Sequence, residues 1–150
     1  MIEARFVHTN LIAHDWRGLA RFYEQVFGCT PVPPERELKG ERLEAATGVP
    51  GAQIEGVHLR LPGYGQAGPT LEIYAYHPQA ERLATAVNRP GLAHIAFAVG
   101  DVEAAREAVL VGRGQYRRTD RIVAGARRRH GQVRLCDRSR RERRRATALV

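Results

Sequence analysis

Apolar and polar residues alternate with a period of two in several short segments, which predicts β-strands. The clearest segment, Val57-His58-Leu59-Arg60-Leu61, predicts a half-buried strand, and similar segments lie at residues 6–13, 70–76 and 92–99. A spacing of three and four residues predicts a helix between Asp15 and Gly28, with an apolar face formed by Leu19, Phe22, Tyr23, Val26 and Phe27. Asp101 is predicted to cap a second helix that runs to about Val111.

Proline and glycine interrupt this pattern in two places. Residues 31–53 contain three prolines near their start and several glycines further on, and we predict a long loop there. The segment from Pro62 to Pro69 contains three glycines and predicts a hairpin-like connection between two strands.

The strand-to-helix pattern occurs twice. His8 lies seven residues before Asp15, and His94 lies seven residues before Asp101, with a strand before each aspartate and a helix after it. The two segments are offset by 86 residues. Matching strands, caps and helices at one offset indicate a duplicated module rather than a chance pair of residues.

Side-chain alternation places polar residues on one face of each module. Leu71 and Ile73 share one face of their strand and Glu72 lies on the other, while His94 lies opposite Ile95 and its apolar partners Phe97 and Val99. Each module therefore has an apolar face for its helix and a second face that carries His or Glu. Two such sheets with their polar faces turned together would enclose a cavity.

Composition sets broad limits. The chain has 150 residues, 43% of them hydrophobic, which is enough for a buried core and excludes wholesale disorder. No apolar run is long enough for a membrane span or a secretory signal, and two cysteines make neither a disulfide framework nor a zinc knuckle. We therefore expect a cytoplasmic protein with no membrane partner.

The net charge of +8 comes from one end of the chain. Residues 1–111 are mildly acidic, whereas residues 112–150 contain 14 arginines and only three acidic residues. The first part is typical of an ordinary globular protein, and the second is an arginine-rich segment.

Three separated motifs resemble one family. They are His8-Thr-Asn-Leu-Ile-Ala-His-Asp15 with Phe22-Tyr-Glu and Phe27-Gly, then Thr70-Leu-Glu-Ile-Tyr74, then Gly91-Leu-Ala-His-Ile-Ala-Phe97. They resemble the vicinal-oxygen-chelate superfamily, which includes glyoxalase I, methylmalonyl-CoA epimerase, extradiol dioxygenases and bleomycin resistance proteins. The resemblance implies an α+β fold in which paired βαβββ modules form a cupped mixed sheet around a metal site. We place the first module at residues 1–78 and the second at residues 91–150, with the resemblance lost after about residue 111.

By the same resemblance, His8, Glu72 and His94 are the expected metal ligands, and Glu72 is the expected catalytic carboxylate that moves a proton. Imidazole and carboxylate groups suit a divalent Ni, Zn, Fe, Co or Mn ion. Such an ion polarises adjacent oxygens of a substrate. We interpret His14 and His77 as surface residues and Cys29 as a buried small hydrophobe. His58 and Arg60 share a strand face; we favour a solvated edge over a role in holding an anionic substrate group.

The sequence departs from the family near its end. The family has a fourth ligand, a Glu in a strand that follows a motif like Asp-Pro-Glu-Gly-Asn, and this motif is absent here. One hypothesis takes the arginine-rich segment as an arm that binds nucleic acid without sequence preference. As written, the second module would then lack its final strands and its carboxylate.

The second hypothesis, which we favour, is a change of reading frame near residue 112. Codons for Val133 to Thr147 can be chosen so that reading one base later gives Phe-Ala-Tyr-Val-Thr-Asp-Pro-Glu-Gly-Asn-Val-Val-Glu-Leu. This restores the motif and the strand, and the restored Glu codon spans Arg145 and Ala146.

The resemblance favours a glyoxalase-like lyase or isomerase on a small substrate with adjacent oxygens, impaired in this chain by loss of the fourth ligand. Alternatives are an epimerase-like or dioxygenase-like enzyme, or a non-catalytic binding protein of the drug-resistance type. We expect a homodimer, and a nucleic-acid partner only if the arginine-rich segment is genuine.

Overall fold

The computed structural model describes residues 1–81, 88, 90–92, 94–115, 121–127 and 130–136. The chain divides into two compact units, Met1–Glu81 and Arg82–Val150. The fold is α+β, as predicted.

The first unit has the strand and helix order of a complete βαβββ module, with one additional short helix. Its elements are β1 (His8–Ile12), α1 (Trp16–Phe27), β2 (Thr30–Lys39), α2 (Glu41–Thr47), β3 (Gln53–Arg60) and β4 (Thr70–His77). The four strands form one sheet in the order β1-β4-β3-β2. β1 and β4 are parallel, and the other neighbours are antiparallel. The first strand of the module, β1, is therefore at an edge of the sheet, and the last strand, β4, is next to it in the interior.

The helix α1 covers one face of this sheet. It begins where the Asp15 carboxylate accepts a hydrogen bond from the Gly18 N–H at 2.8 Å, and it ends at Gly28, whose φ of 67° is in the left-handed region. Its apolar face packs on β3 and β4, and the core is formed by the buried side chains Leu19, Phe22, Tyr23, Val57, Leu59, Leu71 and Ile73. The predicted alternation in β4 is confirmed, because Leu71 and Ile73 are buried and Glu72 lies on the other face.

The prediction of a loop over residues 31–53 is wrong. β2 and α2 occupy most of it. The prolines are tolerated because β2 is at the edge of the sheet, and its pairing with β3 is irregular between Val32 and Arg36, where Pro33 and Pro34 have no N–H to donate. Gly40 precedes α2, and Gly48 ends it with a φ of 68°. The glycines mark the ends of a helix rather than a continuous loop.

The second unit contains β5 (His94–Val99), α3 (Val102–Gln115), β6 (Arg121–Arg127) and β7 (His130–Cys136). Asp101 caps α3 as predicted, since its carboxylate accepts a hydrogen bond from the Ala104 N–H at 3.0 Å. The three strands form an antiparallel sheet in the order β5-β7-β6. By their order in the module, β5 and β7 correspond to β1 and β3 of the first unit. Within the described ranges of this unit, β7 pairs directly with β5, whereas β4 lies between β1 and β3.

The second module was expected to lack its final strands, but residues 121–127 and 130–136 form β6 and β7, two of the three strands that follow the helix in a βαβββ module. Residues 122–126, Ile-Val-Ala-Gly-Ala, are a short apolar run, and Val133 and Leu135 alternate with polar residues. Both patterns are compatible with strands, and the many arginines around them obscured the patterns in the sequence. Residues 137–150, where the restored motif and the fourth ligand were expected, lie outside the described residues.

Candidate functional site

Two of the three predicted ligands meet on the polar face of the first sheet. Asn10 of β1 is in register with Glu72 of β4, so His8 is two residues before the position opposite Glu72. His8 Nδ1 lies 3.4 Å from Glu72 Oε1. The Glu72 side chain is 14% exposed, whereas that of His8 is 48% exposed. The parallel pairing of the first and last strands thus brings a distant histidine and carboxylate into contact.

A second histidine reaches the same carboxylate oxygen. His58 of β3 is directly opposite Glu72 of β4, and its Nε2 lies 3.4 Å from Glu72 Oε1. The same Nε2 lies 2.6 Å from the hydroxyl oxygen of Tyr74. Our interpretation of His58 as part of a solvated edge is therefore wrong, because the side chain is only 21% exposed and contacts two residues of the polar face.

The surroundings change the proton affinity of this cluster. Burial lowers the pKa of His58, and Arg36 and His8 lower it further, while the Glu72 carboxylate acts in the opposite direction. Burial raises the pKa of Tyr74 to about 12, with Glu72 adding to the effect. The Tyr74 hydroxyl therefore keeps its proton and can donate it to the neutral His58 imidazole or to the Glu72 carboxylate.

A cavity of about 290 Å³ opens beside this cluster. Its polar lining comes from Arg5, His8, His58, Thr70 and Glu72. Its apolar lining comes from Phe6 and Val7 and from the end of the β3–β4 connection, Ala67, Gly68 and Pro69. The helix α1 packs on one face of β3 and β4, and the cavity lies on the other face. This is the face on which the alternation of residues in β4 placed Glu72.

His94, the third predicted ligand, belongs to the second unit. It is the first residue of β5 and is exposed, and it is in register with Cys136 of β7. The first unit brings His8 and Glu72 together by itself, and the participation of His94 stays a prediction.

The donors of the first unit suit part of a metal site. Two ligands that share a zinc ion at ~2.1 Å in tetrahedral geometry lie roughly 3.4 Å apart. His8 Nδ1 and Glu72 Oε1 have this separation. Among the residues that the structure describes, however, no three or more His, Cys, Asp or Glu side chains are arranged to hold a metal ion. The pair fits a metal in donor chemistry and spacing, and it needs ligands from elsewhere to complete a site.

The predicted exposure of two histidines and the predicted burial of one cysteine agree with the structure. His14 and His77 are exposed, and Cys29 is buried at 3% exposure, where burial and the nearby Glu24 raise the pKa of its thiol to about 11. No helix in the described ranges has both the length and the apolar content needed to cross a membrane.

Comparison with known proteins agrees with the motifs. Residues 5–129 match the family model described as the Glyoxalase/Bleomycin resistance protein/Dioxygenase superfamily. The match includes His8, Glu72 and His94, and it continues past residue 111 through β6. A comparison with curated proteins found no match. Because the family model covers most of the chain, and the first unit has the βαβββ order, this protein belongs to the Glyoxalase/Bleomycin resistance protein/Dioxygenase superfamily.

Proposed function

We propose that this protein is a glyoxalase-like lyase or isomerase that binds a divalent metal through His8, Glu72 and His94. The observation that carries the proposal is the contact between His8 and Glu72 at the cavity, 3.4 Å between Nδ1 and Oε1. A bound divalent metal supplies a Lewis acid for the adjacent oxygens of a small substrate. The candidates remain Ni, Zn, Fe, Co and Mn, all of which accept imidazole and carboxylate ligands.

The protein's own side chains have distinct roles in this proposal. Glu72 is less exposed than His8 and His58, and its carboxylate accepts a proton from the substrate and returns it. His58 holds the same carboxylate from β3, and Tyr74 fixes the His58 imidazole through the 2.6 Å contact. Phe6 and Val7 give one side of the cavity an apolar surface for the substrate.

We further propose that turnover is impaired in this chain. The sequence contains no motif like Asp-Pro-Glu-Gly-Asn, so the carboxylate that the family uses as its fourth ligand is missing. A site with three ligands instead of four is expected to bind the metal more weakly and to turn over substrate more slowly. Sequencing the gene across codons 105–150 tests the explanation, because a missing or extra base would restore the motif and identify the arginine-rich segment as an artefact.

A second candidate is a binding protein that holds a small molecule without catalysis. The cavity supports it, since apolar residues and two histidines line a space of about 290 Å³. Epimerase-like and dioxygenase-like reactions are alternatives within the enzyme class. We expect a homodimer in the cytoplasm, and nucleic-acid binding only if the arginine-rich segment is genuine.

The test is metal content together with turnover. The purified chain is analysed for bound divalent metal and assayed with a hemithioacetal formed from a 2-oxoaldehyde and a thiol. Bound metal with slow turnover that Glu72→Gln abolishes supports the proposal, and His14→Gln is the matched control because His14 is an exposed histidine outside the cluster. A chain that binds the substrate equally well with and without metal, and never converts it, supports the binding protein instead.

A further inference from the structure

The cavity of the first unit has a basic lining. Arg5, His8 and His58 contribute nitrogen-bearing side chains, whereas Glu72 is the one acidic residue in the described lining. Arg36 of β2 also acts on this face, since its charge lowers the pKa of His58. The two arginines that act on this face, Arg5 and Arg36, outnumber its one carboxylate, and this favours an anionic ligand.

A further arginine lies on the same face, one row away from the carboxylate cluster. Arg60 is two residues after His58 in β3, so both side chains leave the same face of the strand. Arg60 is in register with Thr70 of β4, and Thr70 lines the cavity and is in register with His8 of β1. Arg60 and Thr70 therefore form a row that ends at His8, parallel to the row of His58 and Glu72. Thr70 and His8 line the cavity, and Arg60 lies next to Thr70 without being part of the lining.

Arg60 has an unused hydrogen-bond donor. Its Nε is buried and, within the described part of the chain, has no hydrogen-bond partner. A buried donor on a charged side chain is destabilising unless an acceptor reaches it. A guanidinium group matches the two oxygens of a carboxylate or a phosphate, each of which can accept from Nε and a terminal nitrogen together.

We propose that Arg60 and Thr70 form an anion subsite that binds a carboxylate or phosphate group of the substrate. Arg5 adds a second positive charge at the cavity. Residues two apart in a strand are separated by roughly 7 Å, so the row of Arg60 and Thr70 lies about that far along the strands from the row of His58 and Glu72. The inference rests on the proposed function only for the reacting end of the substrate, because the subsite lies within the first unit and needs no metal.

The test observes the Arg60 Nε–H resonance directly. The full-length, metal-free protein is titrated with inorganic phosphate and, separately, with acetate, while ¹H–¹⁵N spectra record the arginine side chains and the backbone. We expect a saturable shift of the Arg60 Nε–H signal together with the Thr70 amide. A larger response to phosphate assigns the subsite to a phosphate ester, and a larger response to acetate assigns it to a carboxylate. The absence of a saturable shift with either anion overturns the proposal.

Variants separate the subsite from general charge effects. Arg60→Gln is expected to weaken anion binding about tenfold, the loss of one charge-assisted bidentate contact. Arg42→Gln removes an equal charge from the exposed surface of α2 and leaves binding unchanged. If Arg60→Gln does not fold, Arg60→Lys is used instead, because it keeps the positive charge and cannot form the bidentate contact of a guanidinium group. It is expected to bind the anion more weakly than the natural chain. Equal affinity in Arg60→Lys contradicts the proposal.

Metal titration of the same samples keeps the two ideas apart. Anion-dependent shifts without metal binding support the subsite and contradict the proposed metal-dependent function. Metal binding without anion-dependent shifts supports the metal-dependent function and contradicts the subsite.

Discussion

His8 Nδ1 and Glu72 Oε1 lie 3.4 Å apart, on the first and last strands of one module. The contact depends on the parallel pairing of β1 with β4, which places strands from the two ends of the module side by side. Both residues belong to the first unit, so this part of the site forms without the second unit. The contact between His8 and Glu72 therefore does not depend on residues 112–150.

The hydrogen bond between His58 and Tyr74 is expected to stabilise the fold. Tyr74→Phe removes the hydroxyl that lies 2.6 Å from His58 Nε2 and leaves the ring in place. The free energy of unfolding should fall by about 1 kcal/mol, the usual cost of one such bond. Urea denaturation measures it, and Tyr64→Phe is the matched control because Tyr64 is 66% exposed. An equal loss in both variants would show that the contact contributes nothing.

The stability of the metal-free protein should depend on the protonation of His58. Burial lowers the pKa of His58 in the folded state, whereas in the unfolded chain it takes the ordinary value of 6.5. The unfolded chain therefore binds the proton first as the pH falls, and the folded state loses stability below about pH 6.5 until the lower folded pKa is passed.

His58→Gln removes this contribution, so its urea denaturation midpoint should vary less than that of the natural chain between about pH 8 and about pH 5. His14→Gln, at an exposed position, should keep the natural pH dependence. Equal losses of stability in His58→Gln and the natural chain as the pH falls would contradict this role of His58.

The close pairing of β3 and β4 requires glycine at position 56. A Cβ at Gly56 would overlap the carbonyl oxygen of Ile73 and the backbone and ring of Tyr74. Gly56→Ala should lower the free energy of unfolding by about 1–3 kcal/mol, because strands or rings must shift to make room. Gly100→Ala is the control, since a Cβ there meets no atom within 4 Å. Thermal denaturation of the two variants should differ clearly, and equal stability would contradict the register.

Cys29 should be unreactive in the folded protein. It is 3% exposed, and burial together with Glu24 raises its pKa to about 11, so little thiolate forms at neutral pH. In a Cys136→Ser background, an aromatic disulfide reagent should modify Cys29 slowly in buffer and rapidly in urea. Rapid reaction in buffer would mean that the end of α1 opens readily.

The sequence predicted the elements whose pattern depends on local chemistry. Asp15 and Gly28 bound α1, and the alternation around Glu72 placed it opposite the buried Leu71 and Ile73. β2 was missed because three prolines conceal an edge strand, where a missing N–H is tolerated.

His58 was missed as a site residue for a different reason. Its contact with Glu72 depends on the β3–β4 register, in which His58 is directly opposite Glu72. Alternation gives the face of each strand and leaves its register open. The alternation in β3 and β4 places His58 and Glu72 on the same face of the sheet, and this was the sequence signal that could have identified His58 as a site residue.

The central claim is that His8, Glu72 and His94 bind one divalent metal, and calorimetric titration of the metal-free chain with Zn²⁺ tests it most directly. The account predicts one ion per chain, about tenfold or greater loss of affinity in His8→Gln, Glu72→Gln and His94→Gln, and no change in His14→Gln. Zinc affinity that His94→Gln leaves unchanged, or no saturable binding by the natural chain, would contradict it.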